Sequence, residues 1–169
     1  MPPRNVKWLA RLRLEAQETG NYHQMRRYRT PKEPIRPGSE LTCDLANSDA
    51  NWRMRTKSVI FAPLEGELVV AGRVEVNGVA WNDGTAPIES VLVAVGEGAA
   101  WQPANLAPAA GPYAWRHWSL TLELPRGEHQ IAARAVDALG RSQPLSAVAQ
   151  WNPAGYACNA VHSLKVIAS

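Results

Sequence analysis

From Lys57 onward the hydrophobic positions fall into short β-rich runs, "KSVIFAP", "GELVVAGRVEVNGVAW", "IESVLVAV", "WRHWSLTLEL" and "HQIAARAVDA", separated by the turns "PLEG", "NDG", "GEG" and "PRGE". Val74 and Val76, and then Val91, Val93 and Val95, stand two apart. Each strand therefore turns one face inward and the other toward solvent or a second sheet. The C-terminal "HSLKVIAS" reads as a closing edge strand. Seven or so strands over 57–169 approach the roughly seven strands and 100 residues of an immunoglobulin-like domain. The predicted class is mainly β, an immunoglobulin-like β-sandwich, without the Cys…Trp…Cys spacing of antibody domains.

The pattern before Lys57 is different. In "VKWLARLRLEA", Val6, Trp8, Ala10, Leu12 and Leu14 alternate with Lys7, Arg11 and Arg13, which predicts a short strand although the Leu and Ala content would also suit a helix. From Thr30 to Asn51 no period persists through Pro31, Pro34, Pro37, Gly38 and "DLANSDAN". A loop of that length usually docks on another surface or serves a site. The chain thus divides into 1–30, a linker at 31–56 and a sandwich at 57–169, with no repeat and no low-complexity tract.

Composition adds three constraints. A chain of 169 residues can bury a core without disulfides. Seven Trp against one Phe is an unusual balance, and several of these rings should be core; Trp81, Trp101 and Trp151 fit core or inter-sheet packing. The net charge of +3 hides an asymmetry: residues 1–36 hold nine Lys/Arg against three Glu, a local +6 that leaves −3 for the rest. The N-terminal segment therefore faces something negative, whether nucleic acid, anionic lipid, a phosphate-bearing cofactor or an acidic partner. Cys43 and Cys158 make no CxxC spacing, and sequence leaves open whether they pair. No apolar run approaches the roughly 20 residues of a membrane span, and the basic-then-apolar pattern of a secretory signal is lacking, so the compartment stays undetermined.

One short run invites chemistry. "AWRHW" sets Arg116 among indoles, and on a strand Arg116 and Trp118 would share one face while Trp115 and His117 take the other. A guanidinium presents a planar fork matched to oxyanions and keeps its charge in proteins. Its local alternative is a surface cation stacked on Trp118, worth about 0.5–1 kcal/mol. "MRRYR" at Met25–Arg29 alternates basic and aromatic residues as single-stranded nucleic-acid binders do, but no second such patch supports it and a docking face for a neighbouring domain explains it as well, so no nucleic acid is expected. His162 reads as a hydrogen-bonded structural residue, and His23, His117 and His129 have no metal-gathering spacing. No G-x-S-x-G, H-E-x-x-H or phosphate-cradling glycine loop occurs.

Ordered motifs then give a resemblance. "RNVKWL" followed by "NYHQMRRY" is similar to the end of the molybdenum-cofactor domain of the sulfite oxidase family. "GRVEVNGVAW", "IESVLVAVGEGAAWQPANL", "YAWRHWSLTLELPRGEHQIAARAVDALGRSQP" and "WNPAGYACNAVH" resemble, in order, that family's C-terminal dimerisation domain. "GEG" replaces the family's D-G-G turn, and Tyr113 stands where the family often has Trp.

The resemblance implies that 1–30 is a remnant of the cofactor domain and that 57–169 is the dimerisation sandwich. It implies that Arg116 reaches toward a substrate pocket in the catalytic domain, and that Arg4, Asn5, Val6 and Lys7 resemble the segment holding the phosphate end of the molybdenum–molybdopterin cofactor. The family's metal-ligating cysteine would lie upstream, neither Cys43 nor Cys158 matches it, and the isolated chain is expected neither to hold molybdenum nor to catalyse. The intact enzyme would oxidise sulfite or a related sulfur oxyanion, pass electrons to a cytochrome or similar acceptor, and form a two-fold homodimer with a missing or separate cofactor domain beside it. A periplasmic site fits the family. The alternative is a stand-alone immunoglobulin-like binding or assembly module without redox chemistry.

Overall fold

The computed structural model describes Trp8, residues 10–17 and residues 19–169. Two compact units emerge, one of Arg55–Ala147 with Asn159–Ser169 and one of residues up to Met54 with Val148–Cys158.

The larger unit is a β-sandwich of the immunoglobulin-like class. Its strands are β3 (Lys57–Ala62), β4 (Glu67–Val69), β5 (Gly72–Trp81), β6 (Ile88–Val95), β7 (Gln102–Pro103), β8 (Asn105–Leu106), β9 (Arg116–Leu124), β10 (Gly127–Asp137) and β11 (His162–Ala168). One sheet has the order β4-β11-β10-β6-β7 and the other β3-β5-β9-β8. The period-two pattern does what it predicts: Val74, Val76, Val91 and Val93 are buried, and Val95 packs against the same core from its rim. Leu122, Leu124, Ile131, Ala133, Ala135, Leu164 and Val166 complete it.

A close approach explains one motif. Gly78 on β5 stands opposite Trp118 on β9. A Cβ at Gly78 would come 2.0 Å from the Val59 carbonyl oxygen and 2.7 Å from the Trp118 ring. The glycine of "NGVAW" is thus the floor on which the one fully buried tryptophan lies, and any side chain there would displace both backbone and indole.

Two sequence expectations are corrected here. The C-terminal strand is not an edge: β11 pairs antiparallel with β10 on one side and parallel with β4 on the other. The short β4, hidden in the run "GELVV", takes the edge position. The tryptophans are also not mainly core. Trp118 is 2% exposed, Trp81, Trp101 and Trp151 are only half-buried, and Trp8, Trp52 and Trp115 are exposed, because Val, Leu, Ile and Ala fill the space between the sheets.

The smaller unit contains a π-helical turn at His23–Arg27 and a two-stranded pair, β1 (Arg29–Pro31) with β2 (Ser48–Ala50). A short strand of this unit is at Arg29–Pro31; of the run 6–16 in which a strand is expected, Val6, Lys7 and Leu9 lie outside the described residues. Described residues Trp8 and 10–17 form no strand, and Trp8, Leu12 and Leu14 are 95%, 82% and 98% exposed. Alternation alone does not make a strand when no neighbouring strand takes its amides. Arg29 is 4% exposed; its Nε donates to Ser48 Oγ at 2.9 Å and its Nη2 to the Ser48 carbonyl at 2.6 Å, clamping β1 to β2. Asp44 closes the intervening turn by accepting the N–H groups of Ala46 and Asn47 at 2.8 and 2.9 Å.

Candidate functional site

Arg116 is the first residue of β9, opposite Ala80 at the end of β5. Burial along β9 follows the expected alternation, with Arg116 half-buried, His117 exposed and Trp118 buried. The guanidinium is not held by the Trp118 ring. Its Nε donates to the Ala107 carbonyl at 2.9 Å, and its Nη1 donates to the carbonyl of Ile88. These two bonds fix the fork and consume two of five donors.

Arg116 forms part of the wall of a cavity of about 340 Å³, together with Trp81, Asn82, Thr85, Pro87 and Pro112. Trp115 packs on Trp81 with ring centroids 5.8 Å apart and planes 30° apart. The wall therefore combines one fixed cation with indole and proline surface, an arrangement suited to a small anion.

A buried polar cluster adjoins that wall. Asp137 ends β10 and is fully buried. Its carboxylate accepts from Thr56 Oγ1 at 2.9 Å, Asn82 Nδ2 at 3.1 Å and Arg141 Nε at 2.7 Å, and from the N–H groups of Leu139 and Arg141 at 3.1 and 3.0 Å. Burial opposes its ionisation, but the hydrogen bonds from Arg141, Thr56 and Asn82 outweigh burial and hold the carboxyl below the ordinary Asp range. Arg141 continues to Asp83 at 3.0 Å and to Thr85 Oγ1 at 3.0 Å. The Arg141 guanidinium is the chief reason that Asp83 also ionises well below the usual range.

Through Asn82 and Thr85 this cluster fixes the loop that shapes the cavity. Gly140, at φ 75°, permits the turn in which its N–H reaches the Asp137 carbonyl at 2.8 Å. Gln143, 1% exposed, accepts the Ser58 and Ala135 N–H groups through Oε1 at 2.6 and 3.0 Å, and its Nε2 donates to the Ala160 carbonyl at 2.9 Å. The sequence reading gave Asp83, Asp137, Arg141 and Gln143 no role. For Asp137, Arg141 and Gln143 the signal was the run "AVDALGRSQP", polar residues around a glycine turn directly after a strand, and for Asp83 it was the turn "NDG".

Other candidates separate. His162 Nδ1 accepts the Ile60 N–H at 3.1 Å, which requires the unprotonated nitrogen; burial first and then the Lys57 charge lower its pKa. This is a structural histidine. His129 Nε2 lies 2.6 Å from the Pro125 carbonyl oxygen, and His23 stacks on Tyr28 at 5.7 Å. Cys43 is buried, Cys158 is exposed, and both are free thiols. Arg4, Asn5, Val6 and Lys7 lie outside the described residues. Among the described residues no group of three His, Cys, Asp or Glu is placed to hold a metal ion. No described helix is long and apolar enough to cross a membrane.

The class these features define is an immunoglobulin-like sandwich with a cationic cavity at one end of β9. Comparison with known proteins then gives the family. Residues 48–169 match the model of the Mo-co oxidoreductase dimerisation domain, and this chain belongs to that family. It is 31% identical to mitochondrial sulfite oxidase of Homo sapiens over 98% of its own length and 31% of that protein. Against an NADH nitrate reductase of Hordeum vulgare it is 26% identical, over 96% of this chain and 19% of that one. The chain thus spans about a third of the length of the sulfite oxidases it matches. Among solved structures, the sulfane dehydrogenase SoxCD of Paracoccus pantotrophus superposes with a TM-score of 0.63 at 23% identity, covering 85% of this chain and 35% of that one, and shares the fold.

Proposed function

We propose that this chain is the dimerisation portion of a molybdenum-cofactor oxidoreductase acting on sulfite or a related sulfur oxyanion, and that Arg116 supplies one cation of the substrate pocket. The supporting observation is the state of that guanidinium: oriented by the carbonyls of Ala107 and Ile88, half-buried on a cavity wall, and without an ion pair to any carboxylate among the described residues. A guanidinium pinned by neutral acceptors leaves its charge uncompensated for an anion, where one locked to Asp or Glu is already neutralised by its partner.

Under this reading the metal-bearing wall comes from polypeptide outside this chain, since the described residues offer no ligand set for it. Residues 1–30 act as the end of a cofactor domain, with Arg4, Asn5, Val6 and Lys7 toward the cofactor's phosphate. Residues 57–169 pair two copies about a two-fold axis. The intact assembly moves an oxygen to sulfur and passes two electrons to a cytochrome or similar acceptor.

The test is Arg116→Ala in the assembly formed with a cofactor domain. Loss of one charged hydrogen-bonding partner, about 1.5–3 kcal/mol, raises the KM for sulfite by roughly 10–100-fold. The conservative Arg116→Lys recovers only part of it, because an ammonium cannot reproduce the fork. An unchanged KM in Arg116→Ala removes the role, and a strictly monomeric mass at micromolar concentration removes the pairing.

A further inference from the structure

The smaller unit contains a second cationic concavity, independent of the sulfur chemistry proposed above. The π-helical turn at His23–Arg27 is opened by Asn21, whose Oδ1 accepts the Gln24 N–H at 3.0 Å and whose carbonyl accepts the Met25 N–H at 3.0 Å. The turn places Arg26 and Arg27 side by side on one wall of a cavity of about 480 Å³, which Tyr22, Thr42, Asn152 and Tyr156 also line. Among the described residues no Asp or Glu lines it.

Each group on the wall is held in place. Arg26 Nη1 donates to the Cys43 carbonyl at 3.2 Å. Tyr22 and Tyr156 line the cavity beside Arg27, and Tyr22 foremost, then Tyr156, raises the Arg27 pKa above its ordinary value. Tyr156 is itself set by an edge-to-face contact with Tyr28, ring centroids 5.2 Å apart. Asn152, 4% exposed, donates Nδ2 to the Arg29 carbonyl at 2.9 Å and accepts the Ala154 N–H at 2.9 Å, which fixes the opposite wall.

Among the described residues neither Arg26 nor Arg27 forms an ion pair within 4.0 Å. Asp44 lies near enough for Arg26 and Arg29 to favour its charge, but its Oδ1 is spent on the Ala46 and Asn47 N–H groups. Two like charges share the concavity with no carboxylate of the described residues lining it, in the segment of the chain that carries a local +6. Such a pair repels itself and favours an anion with several acceptor oxygens, to which two guanidinium forks can bind at once.

We propose that this cavity binds a tetrahedral oxyanion of the phosphate or sulfate type, with Arg26 and Arg27 as the paired cations and the Tyr22 and Tyr156 hydroxyls as neutral donors. The cavity is far larger than a bare ion and lies within the roughly 300–1,000 Å³ of small-molecule sites. The oxyanion is therefore either free or the end group of a larger molecule whose body lies against Tyr22 and Tyr156.

Titration of the full chain with inorganic phosphate, inorganic sulfate and phenyl phosphate, at ionic strength held constant with chloride and followed by amide shifts of residues 21–28 and 152–156, tests the site and separates the two sources. Saturable shifts with either inorganic ion place a free oxyanion there. Phenyl phosphate binding at least about tenfold tighter than inorganic phosphate places an end group there, because stacking on tyrosine adds to the charge pairing. Arg27→Gln, which leaves the Arg26 tie to Cys43 intact, weakens binding about tenfold or more, and Tyr22→Phe weakens it less. The absence of saturable shifts with all three ions overturns the proposal. So does unchanged affinity in Arg27→Gln when the β1–β2 amides remain protected.

Discussion

The sandwich and the smaller unit are held by different chemistry. The sandwich excludes water from an apolar interior: Val76, Val91, Val93, Ile131, Ala133, Ala135 and Val166 are all 0% exposed, behind ladders that run through nine register pairs between β5 and β9. In the smaller unit the buried residues are largely polar, with Arg29, Ser48 and Asn152 beside Cys43, while Trp8, Leu12, Leu14 and Trp52 remain exposed. Apolar burial supplies most of a domain's stability, and side-chain to backbone hydrogen bonds add only about 0.5–1.5 kcal/mol each. The sandwich is thus a rigid frame for Arg116, whereas the smaller unit responds to single side chains and to anything that binds it.

The sharpest way to break the comparison is to remove the centre of the frame. Trp118→Ala takes a full indole out of the core and leaves a cavity over Gly78, which costs about 3–5 kcal/mol. For a domain of this size that lowers the melting temperature by more than about 10 °C. Trp118→Phe is milder than the lost area suggests, because the Trp118 Nε1 donor has no partner and its removal relieves a buried unsatisfied group. Calorimetry that finds the two variants equally damaging would show that partly refilling the space recovers nothing and that the site over Gly78 is cut to the indole itself.

Legibility divides along the same line. A two-residue period is a direct image of a pleated surface with one wet face, so β3, β5, β6, β9 and β10 were readable from the alternation of their apolar positions. The shared face of Arg116 and Trp118 followed from the same rule. What pairs with what was not readable: β4, β7 and β8 are too short to show a period, and only the tertiary fold puts β4 outside β11. The alternation around Trp8 misled because pattern reports amphipathicity and not the presence of a pairing partner. At the site, the type and spacing of Arg116 were visible, but its carbonyl ties to Ala107 and Ile88 join residues 9 and 28 positions apart and exist only in the fold. The Asp137, Arg141 and Asp83 cluster was hidden for the same reason, since its members are ordinary surface residues until the turn at Gly140 gathers them.

A smaller effect separates the two units. Arg29→Ala removes the clamp on Ser48 and frees the β1–β2 pair, a local cost of about 1–3 kcal/mol from hydrogen bonds to a charged group. Hydrogen exchange should then rise at Lys32 and Asn51, whose amides bond to the Asn47 and Tyr28 carbonyls at 3.0 and 3.1 Å, while amides of β5 and β9 keep their protection. Equal loss of protection across β5 and β9 would show that the units unfold as one and would break the contrast.

The smallest effect lies within the frame itself, at the hydrogen bond from the Ile60 N–H to His162 Nδ1. Burial, and then the Lys57 charge, hold the His162 pKa below the ordinary 6.5. Above pH 6.5 the ring is neutral in both folded and unfolded chains, and the bond contributes in full. As pH falls below 6.5 the unfolded chain takes up a proton that the folded one refuses, so stability declines until the folded pKa is reached. Asp83 and Asp137, whose pKa values are lowered, keep their contribution until pH falls below the unfolded Asp value near 3.9, so they do not obscure this window. Denaturant midpoints between pH 7 and pH 5 should therefore fall in the native chain and fall less in His162→Phe, which has no Nδ1 to protonate. If the two slopes coincide, the proton that destabilises the sandwich in mild acid is taken up at some group other than His162.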